Sequence, residues 1–426
     1  MNFIKKQIFD IRKGGMPTFF LKIKSFFKIL FNLPIYFLTF PLLILIYLFQ
    51  KIYLIRLKYV EPNFGLLAIE NSIYCCEKEL GINAPKSSYL DIFFYKKNVN
   101  KQLNKMWKRK LFYAPGFIFY PIYKINRYLS KHFDFAKKHD LKNKMQFEDR
   151  DSTNLIQKSS IHLVFSKNEI EEGRKILKKF GLKEDSKFVC LAIRDSAYGK
   201  KIYPEVNTDY HSWRNCNIEN YLPVCEELAV KGFYIFRMGK IVEKPLLSQN
   251  PKIIDYANSN LRSDFMDIYL GANCSFCISS SLGYAAIPYC FKKPIIDLSP
   301  LGTISSQYQN SLALPRHYFS KELKRNLSLT EIFKYKLFLT FFTKEFTSRG
   351  VEIRENTSKE ICDVVNEMID RIEGKWVEDD EDNILQNKFW KIFKENLVEK
   401  KHQMYHMSFN TRIGSRFLKE NKNWLN

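Results

Sequence analysis

Four short groups along the chain combine arginines, hydroxyls, carboxylates and glycines in a way that suits a multiply charged anion. They are Arg194-Asp195-Ser196, Arg237-Met238-Gly239, Ser279-Ser280-Ser281-Leu282-Gly283 and Asp297-Leu298-Ser299-Pro300. A guanidinium grips phosphate oxygens through a planar fork of N–H donors. A serine-rich turn entering a helix adds free backbone N–H groups and the positive end of the helix dipole, and Gly283 lets the backbone approach what binds there. A diphosphate matches this rim, while a serine ahead of a helix is equally an ordinary N-cap. A further group, His211, Trp213, Arg214 and Asn215, closes the long polar stretch DSAYGKKIYPEVNTDYHSWRNCN just before a helix. A stretch of that length without an apolar period is more often functional than idle in a compact domain. Histidine there is as readily a solvated loop residue as a chemical one.

The elements that must position these groups follow from hydrophobic pattern. KFVCLAIRD, FYIFRMG, KIIDYA, CSFCIS and KPIIDLSP are apolar runs of strand length. Between them lie helical stretches: IENYLPVCEELAVKG, ending at Gly232, DFMDIYLGAN, with Asp264 placed as its cap, and LGYAAIPYC. Strands alternating with helices at this spacing predict a parallel, doubly wound α/β sheet, which binds ligands at its strands' carboxyl ends. Each of the four groups follows a strand. Upstream, FGLLAIENSIYCCEKEL reads as strand then helix, SYLDIFFYKK as a strand, and NVNKQLNKMWKRKLFYAPG as a basic amphipathic stretch ended by Pro115-Gly116. Residues from about 130 to 160 are polar with few apolar anchors and predict irregular surface or an acceptor-side loop. FSKNEIEEGRKILKKFGL carries a capping box at Ser166 and Glu169 and a stop at Gly181. Beyond Trp376 an acidic turn opens LQNKFWKIFKENL, whose Leu385, Phe389, Trp390, Phe393 and Leu397 must dock on something.

Ahead of all this, no charge occurs from Ile29 to Gln50, long enough to cross a hydrocarbon core of about 30 Å as a helix. Pro34 and Pro41 predict kinks, and Lys5, Lys6, Arg12, Lys13, Lys22, Lys24 and Lys28 before the run face Lys51, Arg56 and Lys58 after it. Cations on both sides favour a re-entrant or in-plane anchor with both ends cytoplasmic, over a single span. A cleaved signal peptide lacks its short n-region and small-residue site here, and a buried core helix would not be apolar on every side.

With 426 residues, the chain suggests two or three folded units, and 46% hydrophobic against 27% charged residues is globular composition. Lys+Arg number 68 against 45 Asp+Glu, a net +23 that attracts nucleic acid, anionic lipid or phosphorylated substrates. No nucleic-acid-binding motif accompanies it, and the cations are spread along the chain, which argues against nucleic acid. Nine scattered cysteines exclude a disulfide framework and indicate a reducing compartment. Cys274-Ser-Phe-Cys277 lies in an apolar strand with no second CxxC, so it reads as buried packing rather than a zinc site.

Taken together, NKQLNKMWKR, RDSAYGKK, YHSWRNCNIENYLP, RMGKIVEKP, IIDYANSNLRSDFMDIYLGANCSFCISSSLG and IGSRFLKEN resemble a family of bacterial glycosyltransferases associated with surface-carbohydrate biosynthesis. The resemblance covers most of the chain from about residue 60. It implies a GT-B-like architecture: two Rossmann-like domains facing a cleft, the C-terminal one holding a nucleotide-sugar donor. The expected plan is a membrane anchor with basic flanks (1–58), an N-terminal acceptor-side α/β domain (59–185), a nucleotide-sugar-binding domain (186–375) and C-terminal helices returning to the N-terminal domain (376–426). The implied reaction moves a sugar to a membrane-associated or surface-glycan acceptor at the cytoplasmic face of the inner membrane, with no bound metal and no cofactor. The implied donor-binding residues are Arg214, Asn215, Arg237, Gly239, Arg262, Asp264, Ser280, Ser281 and Gly283. Charge develops on the leaving diphosphate, so cations and helix N-termini belong there. A carboxylate or imidazole must deprotonate the acceptor hydroxyl, and Asp195 and His211 are the candidates. The alternative is a membrane-bound sugar-binding or scaffold protein that keeps the fold without the chemistry.

Overall fold

The structure, a computed structural model, describes residues 3–147, 150–151, 153–202, 204, 207–280, 282–299, 301, 311–397 and 411–426. The chain opens with α1 (Phe3–Leu48), β1 (Leu54–Tyr59), α2 (Phe64–Glu79), β2 (Tyr89–Phe94), α3 (Lys101–Lys108) and α4 (Gly116–Leu129). It divides into two compact units: Met1–Pro62, Pro85–Asn98 and Lys110–Lys142 form the first, and Asn63–Ala84, Val99–Arg109 and Asn143–Asn426 the second. The expected boundary at residue 59 is therefore corrected, because α2 and α3 belong to the second unit.

In the first unit β1 and β2 pair in parallel, Leu54 opposite Tyr89 through Tyr59 opposite Phe94. A buried two-pronged ion pair, Arg56 to Asp91 at 2.6 and 2.7 Å, joins the strands. Leu43 and Ile46 of α1 pack with Leu57, Ile92, Phe94 and Ile122. The Tyr47 hydroxyl donates to Asn126 on α4 at 2.7 Å. Gly116 opens α4 because a Cβ there would lie 2.0 Å from the Tyr95 carbonyl. Two strands are far short of a Rossmann-like sheet of about six, so the α/β class holds but the expectation of two Rossmann-like domains does not.

α1 stays helical through Pro34 and Pro41, and its one non-helical residue is Gly15 (φ 62°, ψ −159°). An isolated proline removes one hydrogen bond, which the packing of α1 beyond Pro41 tolerates, whereas a positive φ is open to glycine. The expected kinks thus shift to Gly15. Leu33–Lys51, of mean hydropathy 1.9, is long and apolar enough to cross a membrane. Its outer face, including Phe37, Leu38, Leu45 and Leu48, is uncovered.

The second unit is built on seven parallel strands. They are β5 (Phe188–Ala192), β6 (Tyr234–Arg237), β7 (Ile253–Ile254), β8 (Phe276–Ser279), β9 (Ile295–Asp297), β10 (Leu312–Ala313) and β14 (Arg412–Ile413), following a small hairpin of β3 (Gln146–Phe147) and β4 (Arg150–Asp151). The order β14-β10-β9-β8-β5-β6-β7 reverses direction between β5 and β8, the point where doubly wound sheets open a crevice at their carboxyl edge. Every strand of the expected alternation is present. A three-stranded antiparallel sheet, β11 (His317–Ser320), β12 (Arg325–Asn326) and β13 (Val351–Arg354), in the order β12-β11-β13, was not legible in the pattern.

Elsewhere the local signals resolve one by one. FGLLAI is helical rather than extended, because Asn63 caps Leu66 N at 3.1 Å and α2 is buried on nearly every side, Asn71 through Glu77 without a break. Ser166 and Glu169 form the capping box of the helix Lys167–Lys179, and Gly181 takes the expected positive φ of 87°. The helix Asp264–Asn273 is capped by Ser263, not Asp264. The helix Asp380–Glu395 does not return to an N-terminal domain: Leu385, Phe389 and Phe393 bury against Phe333, Phe338, Val364 and Leu418 in the core of the second unit.

Candidate functional site

At the switch point, Arg194 follows β5 and its backbone N–H donates to Ser280 Oγ at 2.8 Å, while Ser280 N donates to Ala192 O at 3.1 Å. The two central strands are thereby tied just where their chains diverge. Ser280 is 1% exposed, so its hydroxyl is a strap between strands.

Arg237 ends β6 and is 1% exposed. Its guanidinium lies 3.2 Å from Asp255 and 3.6 Å from Asp195. Both carboxylates also accept backbone N–H groups: Asp195 from Ala197 (3.0 Å) and Glu243 (2.9 Å), Asp255 from Leu246 (3.1 Å). A buried cation between two carboxylates, each holding a loop, welds the segments beyond β5, β6 and β7 together. Arg237, expected as a donor contact, thus has both carboxylates as partners where it lines the cavity.

Above this weld lies a cavity of about 300 Å³, lined by Arg194, Asp195, Asn215, Cys216, Asn217, Arg237, Glu243, Lys244 and Glu355 among others. Arg194 is half-buried, and among the described residues its guanidinium makes no hydrogen bond or ion pair. Burial pushes its pKa down, with Asp195 acting the other way. An unpaired, partly desolvated guanidinium is costly to keep and strong toward an anion. Glu355 accepts from Asn217 N at 2.8 Å, and burial raises its pKa.

The loop that supplies Asn215 is held from behind by Arg316, which is 3% exposed. Its guanidinium donates to the carbonyls of Trp213, Arg214 and Asn215, each at 3.1 Å, and touches Cys216 Sγ. The long polar stretch without an apolar period contains the helix Ala197–Ile202 and a 3-10 segment, Thr208–Arg214. Trp213 Nε1 and His211 Nδ1 both reach Phe341 O, at 2.8 and 2.9 Å. A carbonyl only accepts, so His211 Nδ1 carries a proton and Nε2 keeps a lone pair in the neutral ring. Burial, then the nearby Arg214 and Arg194, lower the pKa of His211 against the pull of Phe341 O. Its ring sits between Tyr210 (4.0 Å) and Phe342 (5.8 Å) and is not among the cavity's lining residues.

The expected constellation is thus only partly assembled. Asp195, Asn215 and Arg237 meet at the cavity; Arg262 and Asp264 do not. Arg262 pairs with Asp267, and Asp264 accepts Lys101 N at 2.8 Å, which fixes the start of α3 instead of a ligand. Gly283 packs on α2: a Cβ on Gly65 would lie 3.1 Å from Gly283 Cα, so these backbones touch where an anion was expected. Gly239 leaves room for Val242, whose Cγ1 would be 2.5 Å from a Cβ. Ser281 and Pro300 lie outside the described residues. Lys244 and Glu355 also line the cavity and were not among the expected residues, while Arg194 was named only within the group that follows its strand. Arg194 was readable from its place directly after β5, whereas Glu355 comes from the unforeseen antiparallel sheet. Among the described residues no group of three or more His, Cys, Asp or Glu side chains could hold a metal ion.

No family model matches the chain, and no curated protein does. Among solved structures it is similar to a glycosyl transferase family 9 protein from Veillonella parvula DSM 2008, at 9% identity and a TM-score of 0.37, over 62% of this chain and 86% of that one. It is also similar to the E. coli ADP-heptose lps heptosyltransferase II, at 10% identity and a TM-score of 0.37, over 61% of this chain and 90% of that one.

Proposed function

We propose that the protein is a membrane-associated glycosyltransferase that takes a sugar from a nucleotide-sugar donor held by the second unit. The observation that carries this reading is convergence: RDSAYGKK, YHSWRNCNIENYLP and RMGKIVEKP, far apart in sequence and each part of the family resemblance, all contribute lining residues to one cavity at the carboxyl edge of the sheet. A doubly wound sheet places its ligand there.

In this reading Arg194 receives the donor's diphosphate and stabilises the charge that grows on it as the bond to the sugar breaks. Arg237, at the wall of the cavity, and Arg316, behind it, hold the segments that line the cavity. Asp195, with both oxygens engaged by backbone N–H groups, is a positioning residue. His211 has a neutral, oriented ring and an available Nε2, and is the base that takes the acceptor hydroxyl's proton. The acceptor is a glycan or lipid-linked hydroxyl delivered at a membrane surface, to which the apolar face of α1 attaches the enzyme. In this reading the transfer uses neither a bound metal nor a cofactor.

The test is a panel of nucleotide sugars offered to the purified full-length protein, with binding read by thermal shift and transfer by release of nucleoside diphosphate. One donor should bind and turn over, and Arg194→Ala should lose that binding. Binding without any turnover across acceptors would assign the chain to the sugar-binding scaffold class. No binding to any member would remove the donor site.

A further inference from the structure

A line of ring contacts leads away from the end of α1 across the first unit. Tyr47 stands edge-on to Phe135 at 5.0 Å between ring centres, Phe135 stacks on Phe133 at 5.5 Å, Phe133 meets His132 at 6.5 Å, and His132 meets Tyr128 at 5.5 Å. Three of these rings lie largely in the open: Phe135 is 40% exposed, Phe133 48% and Tyr128 65%. The line is held in place from below, since Ala136 and His139 are fully buried and Tyr47 is bonded to Asn126. Within residues 127–138, Arg127, Lys131, Lys137 and Lys138 are exposed, against one carboxylate in that segment, Asp134, which Lys137 already engages at 2.6 Å; Asp140, just beyond, is engaged by Lys142.

Aromatic rings interleaved with cations, beginning within the apolar run Leu33–Lys51, have the composition of a membrane–water interface. Rings sit at headgroup level there and cations meet anionic lipid. We propose that residues 128–138 form a second lipid contact, seated among the headgroups of an anionic bilayer at the level where the apolar part of α1 ends. This rests on the reading that α1 meets a membrane. The contact fixes how the first unit is turned against the bilayer, which one apolar helix alone leaves free to rotate. A protein partner would need no continuity with the apolar helix.

The test uses the full chain in vesicles of phosphatidylcholine with and without ~30 mol% phosphatidylglycerol, a charge density that gives a surface potential of some tens of millivolts. Hydrogen exchange is measured over 33–50 and 128–138. On anionic vesicles both segments should be protected, and protection of 128–138 should fall with added salt or without the anionic lipid. All five native tryptophans (Trp107, Trp213, Trp376, Trp390 and Trp424) lie in the second unit. A Phe133→Trp variant therefore adds a distinct reporter, expected to be quenched by brominated phosphatidylcholine beyond the wild-type signal. Protection of 33–50 with unchanged exchange at 128–138 and no added quenching overturns the second contact and leaves the anchor standing. Protection of neither segment overturns the anchor, and this proposal with it.

Discussion

Two arginines that look alike in the sequence have opposite surroundings. Arg237 is sealed between Asp195 and Asp255, so Arg237→Ala removes the cation shared by two half-buried carboxylates and should cost about 1.5–3 kcal/mol of stability, the range for hydrogen bonds to a charged group, read as a lowered melting temperature. Among the described residues the Arg194 guanidinium has no hydrogen bond or ion pair to abandon. Arg194→Ala should leave melting nearly unchanged while weakening donor binding by about 1.5–3 kcal/mol, the range for hydrogen bonds to a charged group. A variant pair in which both lose stability and neither loses affinity would falsify the assignment. For His211 the pH profile decides. Its folded pKa lies below the ordinary 6.5, so the neutral, proton-accepting ring persists under mildly acid conditions. Activity should fall only as pH drops through that lowered value, and His211→Gln should remove this acid limb together with most turnover. An unchanged limb in the variant assigns the titration to another group. At this scale the sequence showed which residue types follow each strand. It did not show which arginine had carboxylates already waiting for it, because Asp255 lies beyond the next strand and its approach depends on the sheet being closed.

Elements were more legible where a short-range rule governs them. The capping box at Ser166 and Glu169 is local chemistry, and it forms as expected. What local chemistry could not show is that Glu169, 5% exposed at its side chain, also receives Lys105 at 3.0 Å, Gln102 at 2.9 Å and Arg109, docking α3 onto this helix. Burial works to raise its pKa, but the hydrogen bonds from Arg109, Gln102 and Ser166 N and the Lys105 contact together hold it well below the usual carboxylate range. A depressed carboxylate contributes stability above its unfolded pKa and loses it as pH falls through the folded one. Glu169→Gln should therefore cost about 1.5–3 kcal/mol near neutral pH, and the gap to wild type should close progressively below about pH 4. Denaturant titrations of both proteins at several pH values measure this, and a gap independent of pH would point to shape rather than charge. The helix Asp380–Glu395 teaches a related lesson. Its apolar face was plain from Leu385, Phe389 and Phe393, but a face does not say which core it joins, and here it joined the nearer one.

For the whole molecule, the alternation from Lys187 onward determined a parallel doubly wound sheet, and that is what forms. The partition of the chain was not legible, since α2 and α3 are interleaved in sequence with β1 and β2 yet belong to the other unit. No linear reading of composition places a boundary that crosses the chain several times. The uncovered outer face of α1 and the net charge of +23 lead to an expectation about the intact protein: it should sediment with membranes and require detergent for release, with salt alone insufficient. Full recovery in the soluble fraction at low salt without detergent would detach α1 from any bilayer. Because α1 continues through both prolines, a reagent applied from the non-cytoplasmic side should label one terminus if the helix spans and neither if it lies in the interface.

Arg316, fixed immediately ahead of β11, bonds to three successive carbonyls of the loop carrying Asn215. Its consequence is one of population. A ligand's apparent dissociation constant is the intrinsic one divided by the fraction of molecules whose loop is already formed. Arg316→Lys preserves the charge but not the planar fork, so if the loop is then assembled in only about one molecule in ten, donor affinity falls about tenfold with every contacting side chain intact. The loss should appear in calorimetry as a more unfavourable binding entropy, because the ordering once built into the fold must then accompany each binding event.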